Sequence, residues 1–568
     1  MNSRLAVLAA AALLLASTAK GSQSGAEASQ AEAPTAETPA ELPGVKVREI
    51  RVERINVFDP TVPGENWWPF RIANKIHYPT REDVIRRELL FAPGDVWDPL
   101  KVIQSERNLR TNGSFRRIDI IPVPVSSGTA DAVVRSQDSW STNPRFSAGT
   151  VGGDSFFGLG LEEGNILGYG KSLSFDYGRN AGKTTTSYGY GDPRFLGTRL
   201  ALNGGYSKGT VGDSAAVSLT KPFFSLDAPN ATGVAWQRSV TEKYIYRDAV
   251  EYSRFRQRRR IAEASIGQRL EADTVFVQRV EAGWYADRAQ YEPLPETAAG
   301  TLQPDRELSG PTFGYSWVQP RYIKETNIDR MERVEDFNLG NELSTRAGWM
   351  SSKSGSDRDR VIYNASEQQG VRFGPGRFAI ARGVLTGRSA RGRWENGLIG
   401  GDLNIFWKTN MRGDHTFIGH AEAAFGRNLD KDSAIVLGGA TGLRGYKNNS
   451  FVGGKAVLVN FEDRFFFQGE YLHLMRLGAA VFVDSGLVAD EGAQPSLRGI
   501  KSDIGAGLRV ASSRSRGGGV GRIDLAYALN RGPGGGSRWV FSITGGQAFS
   551  LFNSASRGVE PSPPSRLN

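Results

Sequence analysis

The sequence predicts a mostly β chain: a transmembrane antiparallel β-barrel of about 16 strands, preceded by one small α+β domain. Three observations predict it. Helix signals after the N-terminus cluster in one short region, in the order β-α-α-β-β. From about Asn143 to Phe552, segments alternate apolar residues with small or polar ones. No later segment approaches a ~20-residue apolar span, so any membrane crossing falls to strands.

Composition narrows the classes. At 568 residues the chain exceeds one compact soluble core. With 39% hydrophobic residues and a mean hydropathy of −0.37 it does not resemble a helical membrane protein. Its 69 glycines show no collagen-like period. The absence of cysteine excludes disulfides and thiolate metal sites. The net charge of +10 comes from arginines dispersed among glycines and aromatics. That pattern suits anionic lipid headgroups, lipopolysaccharide phosphates or solvated loops, and no nucleic-acid partner is expected.

The elements follow in order. "MNSRLAVLAAAALLLASTAKG" joins Arg4, an apolar run and small residues, which predicts a signal peptide over 1–19. Residues 20–44, rich in Ala, Glu, Ser, Thr and Pro, predict a disordered tether. A soluble domain is expected over 45–140. "VKVREIRVERINVF" alternates as a strand, and Thr80 precedes Asp83 as a helix cap. Asp98-Pro99 opens a second helix that stops at Asn112-Gly113. "FRRIDIIPVPV" and "ADAVVRSQDSW" are paired strands. An insert after the first strand holds Trp67 and Trp68, which either pack within the domain, the favoured reading, or dock a partner.

Residues 141–553 are read as the barrel and 554–568 as a flexible tail. In "RWVFSITGGQAF", Trp539, Phe541, Ile543 and Phe549 share one face. One apolar and one small-or-polar face, repeated over about 400 residues, match lipid outside and a wet lumen inside. At roughly 25 residues per strand and connection this gives the figure of about 16 strands. A soluble sandwich or propeller is the competing architecture, but no repeat of blade length is present.

Within this barrel, "GGATGLRGY…NFEDRFF…VFVDSG" sets Arg444 between Leu443 and Gly445, beside Tyr446. A guanidinium in a narrow lumen needs carboxylates in bidentate geometry. This cluster, with "FGLGLEEGNILGYGKSLSFDY", "YGDPRFLGTRL" and "KPFFSL", resembles the outer-membrane protein assembly factors and translocators of the BamA and TamA kind. That superfamily joins polypeptide-transport-associated (POTRA) domains to a barrel. The resemblance covers nearly the whole chain after the tether and implies that Arg444 reaches Glu462 and Asp484 from a loop folded into the lumen. It also implies that Gly545 and Gly546 weaken the seam between first and last strands, although a bulge or small-residue packing explains these glycines nearly as well. Only one soluble domain is readable, and the chain runs on past Phe552 instead of ending on an aromatic.

The function implied is insertion, assembly or translocation of protein clients. A dedicated secretion pore and a lipid-export or passive channel are the alternatives. The expected place is the bacterial outer membrane, with the soluble domain in the periplasm. Expected partners are extended protein clients, outer-membrane lipids and lipopolysaccharide, and periplasmic or lipoprotein factors. No catalytic residue, cofactor or metal is expected. His77, His415, His420 and His473 lack ligand spacing. Arg254, Arg256, Arg258 and Arg260 share one strand face, read as a solvated extension or a lumenal or lipopolysaccharide-facing ladder. Arg412-Gly413-Asp414 is read as a loop beside a turn, not an adhesion motif.

Overall fold

The computed structural model describes residues 42–545, apart from positions 112, 152–153, 181, 273–274, 332, 410–413, 517–518, 534 and 536. The signal peptide, most of the tether, Arg412, Gly413, Gly546, Phe549 and the tail lie outside the described residues.

The N-terminal unit comprises β1 (Lys46–Ile55), α1 (Trp68–Ile76), α2 (Glu82–Arg86), α3 (Pro99–Thr111), β2 (Phe115–Ser126) and β3 (Thr129–Asp138). Its sheet order is β1-β3-β2, with β1 parallel to β3 and β2 antiparallel to it. Ile50, Ile85, Leu89, Trp97, Val102 and Leu109 are buried together between the helices and one sheet face. Asp98 caps α3, accepting from the Leu100 N–H at 2.9 Å. Two expectations need correction. The insert carries an additional helix, α1, because Pro69 sits in its first turn and Phe70 anchors it on Phe58. Thr80 does not cap α2: its N–H donates to Asp138 Oδ2 at 2.6 Å, and its hydroxyl accepts from Asn165 of the barrel at 2.9 Å.

Among the described residues, twenty antiparallel strands close into a barrel. Strands 1 to 6 are Thr142–Val151, Asp154–Glu163, Ser172–Asn180, Lys183–Asp192, Ala201–Gly209 and Gly212–Lys221. Strands 7 to 10 are longer: Asn230–Arg247, Val250–Ala272, Val277–Pro293 and Arg306–Val318. Strands 11 to 15 are Glu342–Met350, Arg360–Gly374, Arg377–Ala390, Arg393–Thr409 and Asp414–Arg427. Strands 16 to 20 are Lys455–Phe466, Met475–Ala489, Lys501–Ser512, Val520–Ala528 and Trp539–Gly545. The expected number of about 16 is therefore too low. The first six strands run only nine or ten residues and several turns are very short, so the spacing per strand is tighter than roughly 25 residues.

Alternation along the strands separates two environments. On strand 17, Phe482 and Asp484 point inward and are buried, while Val481 and Val483 point outward and are exposed. Trp236, Trp284, Phe313, Trp349 and Phe461 are likewise exposed on the outer wall. An apolar wall around a polar interior, with backbone groups paired between strands, is the surface a bilayer covers. The N-terminal unit meets one end of this barrel: Trp140 bridges to Ser515, and the Arg81 N–H donates to the Gly168 carbonyl at 3.0 Å.

Candidate functional site: a buried arginine–carboxylate network in the lumen

The connection between strands 15 and 16 leaves from the barrel end opposite the N-terminal unit. It pairs Ile435–Leu437 with Phe451–Gly453, then turns through Gly439–Thr441. Gly442 adopts φ 105°, a left-handed conformation natural to glycine, and abuts Leu458. This reversal buries Leu443 among Leu398, Leu437 and Leu458. Gly445 lies so close to Asp503 that a side chain there would collide with the strand wall. Tyr446 donates from its hydroxyl to the Ser502 carbonyl at 3.0 Å and packs edge-on to Phe451. Apolar contacts and backbone bonds thus fix the tip on both sides of Arg444.

Arg444 projects into the lumen and is almost wholly buried. Its Nε and Nη2 donate to the two oxygens of Asp484, both at 2.8 Å. Its Nη1 donates to Glu462 Oε2 at 2.6 Å, and its backbone N–H to Asp484 Oδ2 at 3.3 Å. The guanidinium carbon lies 3.4 Å from the Phe482 ring centroid. The fork therefore binds one carboxylate bidentately and a second end-on, a geometry lysine cannot reproduce.

The network extends beyond the three residues expected from the sequence. Glu462 also accepts from Arg464 Nε at 2.8 Å and Arg509 Nη2 at 3.3 Å. Arg509 donates to Asp524 at 2.6 Å, and Arg522 reaches the other Asp524 oxygen at 3.2 Å. Asn460 links Asp484 to the Gly442 carbonyl. Asp484 faces Asp503 in register on strand 18, so Arg444 binds one member of a buried cross-strand pair of acidic side chains. Burying these ions is costly, and only the dense pairing makes it tolerable. Period-two spacing did signal part of this, since Asn460, Glu462 and Arg464 must share a strand face.

A second lumenal element was not expected. The connection between strands 10 and 11 pairs Tyr322–Glu325 with Glu335–Asn338 and enters from the N-terminal unit's end. Ile328 and Leu339 are buried against Phe378, Phe406 and Ile418 of the wall. Arg464 Nη1 donates to the Ile328 carbonyl at 2.6 Å, so one arginine touches both this hairpin and the Arg444 network. The hairpin also holds the N-terminal unit. Arg110 of α3 binds Asp336 bidentately at 2.9 Å, Lys324 reaches Glu106 at 3.0 Å, and Arg107 stacks 3.5 Å over the Tyr322 ring.

Other sequence candidates fall elsewhere. Gly545 ends strand 20 opposite Gly521, and Trp539 and Phe541 face outward. At the seam, the Thr150 hydroxyl donates to the Phe541 carbonyl at 2.7 Å. Arg256 and Arg258 lie on the outer wall beside Glu292, while Phe255, Gln257 and Arg259 point inward. Asp414 begins strand 15. Glu65, Glu470 and His473 converge, with both carboxylates bound by Arg514 at 2.6 and 2.8 Å, which makes the group an ion pair between N-terminal unit and barrel. Trp67 and Trp68 do not pack inside the domain: they are 60% and 58% exposed.

No family model and no curated protein matches the chain. Among solved structures it aligns with BamA from Haemophilus ducreyi lacking POTRA domains 1–3, at 14% identity over 88% of this chain and 84% of that one, with a TM-score of 0.39. CdiB from Acinetobacter baumannii aligns at 11% identity over 88% and 73%, with a TM-score of 0.46. CdiB from Escherichia coli aligns at 11% identity over 89% and 77%, with a TM-score of 0.45.

Proposed function

We propose that the chain is an outer-membrane barrel that assists insertion or translocation of extended protein clients at the seam between strands 1 and 20. The observation that carries the reading is that, among the contacts of the N-terminal unit around this end of the barrel, two flank the closure. Trp140 joins it to Ser515, in the turn between strands 18 and 19, and Arg81 joins it to the turn between strands 2 and 3. A client held on the soluble sheet would thus be delivered beside the closure. Pro122 and Pro124 blunt the free edge of β2, and the start of the outer edge of β1 is already bonded to segment 94–97, so strand addition would fall to the part of β1 after Ile50. The Arg444 network would keep strands 16 to 19 in register while the seam moves. Lumenal segments entering from both ends and meeting at Arg464 disfavour a freely conducting passive channel. Strand pairing and membrane burial would drive the process without bond-making chemistry.

The test is a disulfide across the seam in this cysteine-free background. A β-carbon on Gly149 would sit 2.8 Å from Ile543 Cβ, nearer than the roughly 3.5–4.5 Å of a disulfide, so the strands must part by about 1 Å to take the bridge. Gly149→Cys with Ile543→Cys should crosslink in vivo and lower client accumulation, with recovery on reduction. A bridge that forms without effect would move the assignment to a secretion pore or lipid export.

A further inference from the structure

We propose that α1 is a membrane-surface helix, lying in the headgroup layer of the leaflet that faces the N-terminal unit. Trp68, Ile72 and Ile76 follow each other at four-residue steps and form one stripe, 58%, 51% and 63% exposed. Trp67 before the helix and Tyr78 after it extend the same apolar surface. The stripe does not result from loose packing. On the opposite face, Phe70 stacks on Phe58 with ring centroids 4.3 Å apart, and Asn74 donates to the Phe58 carbonyl at 2.7 Å while accepting its N–H at 3.1 Å. The helix is held firmly by one side and presents tryptophan and isoleucine from the other.

Two features identify the occupant as lipid. The first is continuity with the barrel's outer wall. Gly64 and Phe70 abut His473, in the turn between strands 16 and 17, and the neighbouring Leu472 is 74% exposed. That turn leads into strand 17, whose outward side chains Met475, Val481 and Val483 belong to the apolar wall. The second is charge. Exposed Arg71 and Lys75 border the stripe, where phosphates of an anionic leaflet would meet them. Tryptophan, tyrosine and basic residues beside aliphatic ones are the composition of the interfacial layer. The inference rests on the barrel lying in a bilayer, and it stands whether or not the seam opens.

The test uses the full chain reconstituted in phosphatidylethanolamine–phosphatidylglycerol vesicles. Ile72→Cys and Ile76→Cys are labelled singly with an environment-sensitive fluorophore. Ser127→Cys, at the exposed β2–β3 turn, serves as the water reference. Labels at 72 and 76 should emit to the blue of the reference, resist aqueous iodide severalfold better, and be quenched by shallow nitroxide lipids, as at a depth of about 5–10 Å. Iodide quenching equal to that at position 127 overturns the proposal and leaves the stripe to a protein partner. The unlabelled chain provides an independent reading. Subtracting the spectrum of a Trp67→Phe, Trp68→Phe variant isolates the emission of these two residues; brominated phospholipid should quench that difference, and an unquenched difference also counts against the helix lying in lipid. Neither outcome bears on the seam, whose disulfide test is separate.

Discussion

Replacing Arg444 by alanine should destabilise the barrel by about 4 kcal/mol, the middle of the range for breaking a buried ion pair by removing one partner. The geometry explains the size. Three side-chain bonds to carboxylates disappear, each worth roughly 1.5–3 kcal/mol taken alone. They do not add in full, because Glu462 keeps Arg464 and Arg509 while Asp484 keeps Asn460. The uncompensated part is Asp484, left buried with the Asn460 amide in place of a cation. Arg444→Ala in an Asp484→Asn background should therefore cost about 2 kcal/mol less than in the natural chain. Arg358→Ala supplies the contrast, since its pair with Glu395 is exposed and its loss should cost about 0.5 kcal/mol or less. The assay is urea unfolding in detergent micelles, read by tryptophan fluorescence and by migration on unheated gels. An Arg444→Ala cost within about 1 kcal/mol of the Arg358→Ala cost, or strict additivity with Asp484→Asn, would refute the reasoning.

Two further outcomes follow from the N-terminal unit. Burial pushes the Asp138 carboxyl up to about 7, against the lowering effect of the Thr80 N–H. Between about pH 4 and 7 the folded form holds a proton that the unfolded form has released, so stability falls as pH rises through that window, by at most about 4 kcal/mol. The urea midpoint of this unit should fall from pH 4 to pH 7, and Asp138→Asn should flatten the profile while keeping an acceptor for Thr80. Arg110→Ala removes the bidentate bond to Asp336. A loss of about 2 kcal/mol should raise protease cleavage in 319–341 roughly thirtyfold, and unchanged cleavage would mean that the hairpin is held by its wall contacts alone.

Much of the architecture was legible because alternation is a local signal. Strands 19 and 20 stand out in "RIDLAYALN" and "RWVFSITG", where every second residue is apolar. Their number was not legible, since turn lengths vary and a strand of nine residues leaves the same local trace as one of twenty-three. The Arg444 group was legible through the resemblance, and Arg464 through its spacing from Glu462. Arg509 and Asp524 were not, because their place depends on cross-strand register, which the sequence does not print. The hairpin at 319–341 was missed for another reason. Tyr322–Glu325 and Glu335–Asn338 are only four residues each and pair with one another, so they read as an ordinary connection. Thr80 shows how a correct capping pattern loses to a tertiary partner, here Asp138 and Asn165.

The unequal strand lengths matter to the surrounding lipid. A ten-residue strand inclined at about 40° rises about 25 Å, which matches the apolar band of such barrels with nothing to spare. Strand 8, with its 23 residues, rises about 60 Å on the same arithmetic. A thicker bilayer would therefore strain the wall at strands 1 to 6, at a cost of fractions of a kcal/mol per ångström, and leave the tall wall indifferent. Thickness is usually a uniform load on a membrane protein. Here it would fall unevenly, on strands 1 to 6 and 19 around the closure and on strand 11 across from it.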